Sequence, residues 1–221
     1  MNTSLIIYYS ILFFSVLVGA YKFRRLLLTG RIIFYLLCFI FAKEIISYII
    51  ALQFGFNIWF YKALSPIDFI LLCCIYYTLY KAKFFHYYIL IALLVILGLF
   101  ISNLSDITNQ SIDLSIKLVK SLFLVSFSLI LFGRIVSENN EIKLFNNSSA
   151  WFNSGILIFY VINIFFWGLF NLPFVEKGEL AKKISRIVFE YGNYIMYSFF
   201  CISLYVNNFI LYHRTSNSNH D

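Results

Sequence analysis

Residues 32–52, IIFYLLCFIFAKEIISYIIAL, decide the fold. At 1.5 Å per residue this run is long enough to cross a hydrocarbon layer of roughly 30 Å. Only Lys43 and Glu44 interrupt it. Lipid offers a backbone N–H or C=O no partner, so such a segment must satisfy its own hydrogen bonds as a helix. The rest of the chain repeats the signal. Of 221 residues, 62% are apolar and 12% charged, with a mean hydropathy of +0.84, whereas a soluble domain is about half apolar and a quarter charged.

Outward from that run, six more apolar stretches are bounded by charged or polar clusters: Leu5–Tyr21, Ile58–Tyr80, Phe85–Ile101, Leu114–Ile135, Ala150–Phe170 and Ile184–Leu211. The expected fold is an all-α polytopic membrane bundle of seven transmembrane helices over residues 1–213. A polar tail, RTSNSNHD (214–221), has nothing to bury and reads as disordered. The runs lack the period-two alternation of an outer-membrane barrel. Seven spans of about 20 residues use nearly all the apolar positions, which excludes a soluble enzyme, a nucleic-acid-binding protein and a second water-soluble domain.

Loop charges give the orientation. Lys22, Arg24, Arg25 and Arg31 lie in the first connection, Lys81 and Lys83 in the third, Arg134 and Lys143 beside the fifth, and Arg214 in the tail. These are expected to be cytoplasmic, with the N-terminus outside. The second connection, Gln53 to Asn57, has no basic residue, and the fourth carries Asp106 and Asp113 without one. The sixth breaks the pattern with Lys177, Lys182, Lys183 and Arg186, partly offset by Glu176 and Glu179; it is assigned outside. Basic residues follow the first apolar run instead of preceding it, which is the charge order of an uncleaved anchor. The expected location is a bacterial inner or cytoplasmic membrane, the composition of 27 Phe and 17 Tyr beside many Ile and Asn pointing to a bacterial source.

A charge near the bilayer centre costs roughly 2.5–3.5 kcal/mol and needs a partner or water. Lys43 and Glu44 in the second helix, Asp68 in the third and Glu190 in the seventh are in that position. They either neutralise one another across neighbouring helices or line a polar cavity between helices two, three and seven. Helical spacing adds candidates on one face of each remaining helix: Arg186, Glu190, Asn193, Tyr194 and Tyr197 on the seventh, Asp113, Lys117, Lys120 and Ser121 on the fifth, and Tyr160, Asn163 and Trp167 on the sixth. Lys117 and Lys120 have the alternative of snorkelling to outer headgroups. Pro66 removes an N–H that would bond the carbonyl of Lys62 and predicts a kink beside Asp68. Asn153, with Ser148 and Ser149, reads as a cap of the sixth helix. The candidate ligand-binding set is Asp68, Glu190, Asn193, Asn163, Lys117, Lys120, Glu44 and Lys43.

Several chemistries lack their residues. The seventh helix has no lysine beyond Lys183 for a retinal Schiff base. His86, His213 and His220 form neither HExxH nor a cluster for a metal. No G-x-S-x-G occurs, and no serine has a histidine near its depth. Cys38, Cys73, Cys74 and Cys201 lie in apolar runs without CxxC spacing and read as packing residues. No enzyme activity, cofactor or metal is expected.

Ile67, Asp68 and Phe69, then Tyr77, Leu79, Tyr80 and Lys81, then Trp151, Asn153, Ser154, Gly155 and Tyr160, then Asn193, together resemble an uncharacterised family of small bacterial seven-helix integral membrane proteins. The similarity spans most of the chain. It departs at Asp68, where the family has a glutamate, and at Tyr197, where it has a second polar amide. Members of that family often lie beside sensor histidine kinases, so the resemblance implies a sensory role. The leading expectation is a sensory or receptor-like module with an outward-facing polar pocket. It would act through a signalling partner at the cytoplasmic face, where Lys22 to Arg31 with Lys81 and Lys83 form a basic rim equally suited to anionic lipid. The alternatives are a small transporter or channel using Glu44, Lys43 and Asp68, and an accessory membrane subunit without a ligand site. Besides a possible protein partner, the chain is expected to contact the lipid bilayer and no nucleic acid.

Overall fold

A computed structural model describes residues 3–55, 57–80, 82–103, 110–138, 144–170 and 179–206. It is all-helical, with no strand among those residues. Seven long helices follow one another: α1 (Thr3–Lys22), α2 (Leu28–Phe54), α3 (Ile58–Leu79), α4 (Lys83–Ser102), α5 (Gln110–Glu138), α6 (Ser148–Phe170) and α7 (Glu179–Val206). Single 3-10 turns stand at Phe23–Arg25 and Leu144–Asn146. The first six are long and apolar enough to cross a membrane. α7 is the exception, because Glu179, Lys182, Lys183, Arg186 and Glu190 fall in its first half.

Five of the expected runs lie inside these helices, which start a few residues earlier because polar first and last turns also close i→i−4 bonds; the third runs one residue past α3, to Tyr80, and residues 207–211 of the seventh lie outside the described residues. The tail 214–221, Lys81, Asp106, Lys143 and Lys177, and the side chains of Asp113, Lys182, Lys183 and Arg186, lie outside the described residues. α3 continues through Pro66 without interruption.

Packing follows chain order and closes on itself. Each helix packs against the next, and α7 returns to α1, forming a ring. Neighbours alternate in direction: Thr29 meets Thr78 and Lys43 meets Asp68 across α2 and α3, while Ser203 meets Ser148 across α7 and α6. An odd number of alternating helices makes the first and last parallel. Accordingly Tyr194 donates to the Ser4 carbonyl near the start of α1, and Lys22 at its end donates to the Tyr205 carbonyl.

α6 is the most enclosed of the six apolar helices and α4 the least. α3 also touches α5 directly, leaving α4 outside. α6 and α7 approach closely at Gly155, where a Cβ would stand 2.9 Å from the Phe199 Cβ and 3.2 Å from the Met196 carbonyl oxygen.

The two halves of the bundle differ. In the half holding the ends of α3 and α7, Tyr76, Phe127, Phe152 and Phe200 are fully buried. Phe152 and Phe200 stack with centroids 4.9 Å apart. The polar groups there satisfy one another. The Tyr76 hydroxyl lies 2.6 Å from Ser128 Oγ and donates to Asn153 Oδ1 at 2.9 Å, while Asn153 Nδ2 donates to the Ser128 carbonyl at 2.8 Å. Asn153 is therefore a core hydrogen-bonding residue and not a helix cap. The capping residue is Asn147, whose Oδ1 accepts from the backbone N–H of Ser149 at 2.9 Å.

Candidate functional site

The other half, containing the start of α1 and the α2–α3 connection, is hollow. Its partly open cavity has a volume of about 470 Å³ and is lined by residues of α1, α2, α3, α5, α6 and α7, with none from α4 among the described residues.

A tight turn sets the register of its charges. Gly55 ends α2 at φ 76°, and its N–H bonds the Ala51 carbonyl at 3.0 Å. This left-handed conformation suits glycine, which has no Cβ to clash. Two residues on, the Asn57 amide donates to Ser47 Oγ at 2.7 Å, and α3 starts back antiparallel to α2. Lys43 and Glu44 of α2 are thereby brought level with the first half of α3. Lys43 Nζ reaches Asp68 Oδ2 at 2.6 Å, and the Tyr61 hydroxyl donates to Glu44 Oε2 at 2.7 Å. Asp68 Oδ1 is buried and accepts no hydrogen bond.

Opposite this wall, α5 presents Lys117, Lys120 and Ser121, and α6 presents Phe159, Tyr160, Asn163 and Trp167. Lys117 Nζ lies 4.6 Å from the Trp167 ring centroid, a cation–π contact. Asn163 Nδ2 bonds the Phe159 carbonyl at 2.8 Å within its own helix. α7 closes the cavity with Asn193, Met196, Tyr197 and Phe200, and α1 adds Tyr8. The Tyr8 and Tyr197 rings are 5.8 Å apart.

Of the expected residues, Lys43, Glu44, Asp68, Lys117, Lys120, Asn163 and Asn193 line this one cavity. Glu190 is half-buried and is not on its wall. It lies about one turn before Asn193 on nearly the same face of α7, beyond the lining residues Asn193, Met196, Tyr197 and Phe200. Lys117 and Lys120 point into the bundle rather than snorkelling to headgroups. The cavity draws on six helices instead of three. Tyr8, Tyr61, Lys62 and Ser65 complete the wall; Ser65 and Tyr61 share a helix face with Asp68 at offsets of three and seven residues, a spacing visible in the sequence.

Towards the other half of the bundle the lining ends at Leu36, Leu72 and Phe200, and beyond them Tyr76, Phe127 and Phe152 are packed without exposure. Among the described residues no three His, Cys, Asp or Glu side chains converge in a way that could hold a metal ion. At the opposite end, Arg24, Arg25 and Lys83 are exposed, whereas Lys22 lies 4.1 Å over the Tyr205 ring and Arg31 Nε bonds the Leu26 carbonyl at 3.0 Å. No protein-family model, curated protein or solved structure matches the chain.

Proposed function

We propose that this multi-pass membrane protein is a receptor-like module whose cavity takes a small ligand from the outer side and acts through a partner protein at the basic inner end. The observation that supports binding over conduction is the sealed floor. A translocation path would need an open, hydrated route along the whole bundle, and below Leu72 and Phe200 the side chains are fully buried, with the polar groups of Tyr76, Ser128 and Asn153 bonded to one another. A volume of about 470 Å³ falls in the range of small-molecule pockets. An apolar wall carrying a few convergent polar groups is the usual composition of such pockets, and the resemblance to sensor-associated seven-helix proteins points the same way.

The ion pair Lys43–Asp68, set in the interior of two spans, favours the transporter reading as runner-up. One reconstitution separates the two. In proteoliposomes under a pH gradient the receptor reading expects no proton or solute flux. It also expects co-purification of a membrane or cytoplasmic signalling protein from native membranes. Flux that is abolished by Asp68→Asn would replace it with the transporter reading.

A further inference from the structure

Two ammonium groups share one carboxylate on the cavity wall. Lys43 and Lys120 both stand near Asp68, which is already bonded to Lys43, while Glu44 is engaged by Tyr61. Lys120, half-buried at the level of Ser121, makes no hydrogen bond or salt bridge with any described side chain. The amide of Asn193 on the facing helix likewise has no partner among the described residues. An ammonium group held in a low-dielectric wall with no counter-charge in bonding distance is costly, and a bound anion lowers that cost. Around these two groups the wall is aromatic: Phe159, Tyr160 and Trp167 on α6 and Tyr197 on α7.

We propose that the cavity takes a small organic anion, a carboxylate or phosphate monoester on an aromatic or apolar body, with its charge set against Lys120 and the Asn193 amide. This rests on the receptor-like reading of the same cavity and names the chemical class of its ligand. The anionic head gives Lys120 the bonded counter-charge that Asp68, held by Lys43, does not, and its apolar body lies on the ring faces of α6. Lys43 stays with Asp68, so the ligand adds to that pair instead of breaking it. The same head could be carried by a soluble molecule or by an anionic lipid.

The test is thermal unfolding of the full chain in phosphatidylcholine nanodiscs, titrated with benzoate, phenyl phosphate, benzyl alcohol and benzylamine, and repeated with phosphatidylglycerol in the bilayer. Benzoate or phenyl phosphate is expected to raise the melting temperature. Lys120→Gln should weaken that binding about tenfold or more, as loss of a charge-assisted hydrogen bond predicts. Lys120→Arg should retain it, and Lys83→Gln at the opposite end should not change it. A phosphatidylglycerol effect that depends on Lys120 and blocks benzoate identifies the lipid as the source. Stronger binding of benzyl alcohol or benzylamine than of either anion would overturn the anionic class and leave the receptor reading standing. Silence of all four probes and of phosphatidylglycerol would overturn both.

Discussion

Lys43 Nζ on α2 and Asp68 Oδ2 on α3 are 2.6 Å apart, while the second oxygen of the same carboxylate is buried without a partner. The lysine is the carboxylate's sole counter-charge within bonding distance among the described residues. Removing one member of a buried pair leaves the other desolvated and uncompensated, at a cost of about 3–5 kcal/mol, whereas replacing both with apolar groups is often close to neutral. Lys43→Met alone and Asp68→Leu alone should therefore each destabilise strongly, and the double replacement should recover most of the loss. Equilibrium unfolding in mixed detergent micelles reads this as a double-mutant cycle. Additive single losses would mean that the pair does not act as a unit.

The Tyr76 hydroxyl holds α3 to α5 and α6 through Ser128 and Asn153. Phenylalanine keeps the ring and removes the hydrogen bonds, leaving Asn153 Oδ1 short of a donor in the core. Tyr76→Phe should cost about 1–3 kcal/mol and leave ligand affinity unchanged, because Tyr76 lies in the floor and not on the cavity wall. Stability and ligand titration on the same sample separate these effects. A large loss of affinity would place the floor within the binding site.

Much of this was legible in the sequence, for reasons that differ by residue. The helices were readable because apolar runs in lipid have a single backbone solution, and the cavity side of α6 because Tyr160, Asn163 and Trp167 recur at helical spacing. Asn153 reads as a cap in the sequence because Ser148 and Ser149, the true start of α6, stand just before it, while its partners, Tyr76 and Ser128, are remote in sequence. Glu190 shares the stripe of Asn193 and Tyr197, but helical phase does not say how far along the helix a cavity reaches, and the lining stops at Asn193. The contribution of Tyr8 depends on ring closure of α1 against α7, which no local pattern encodes.

Gly155 sets how closely α6 and α7 approach. A methyl group there meets backbone and a Cβ, neither of which can swing aside as the end of a flexible side chain would. Gly155→Ala should force the helices apart and cost about 1–3 kcal/mol, as overpacking does, and should shift Met196 on the cavity wall. Gly98→Ala is the matched control: nothing lies within 4 Å of its added Cβ, and alanine gains about 0.8–1 kcal/mol over glycine inside a helix. Melting temperatures of the two variants should move in opposite directions. An unchanged value for Gly155→Ala would show that α6 and α7 yield freely.

The side of the membrane on which the cavity lies follows from where the lysines and arginines cluster. Lys22, Arg24, Arg25, Arg31 and Lys83 gather at the end away from the cavity, and loops rich in these residues stay cytoplasmic. The cavity should then face outward, together with the α2–α3 connection. In a background with Cys38, Cys73, Cys74 and Cys201 replaced by alanine, Gln53→Cys should react with a membrane-impermeant maleimide on intact cells. Lys83→Cys should react only after permeabilisation. Both positions are exposed, so access to each depends on side and not on burial. The reverse pattern would put the cavity on the cytoplasmic side, where an external stimulus could not reach it, and its ligand would have to be an intracellular one.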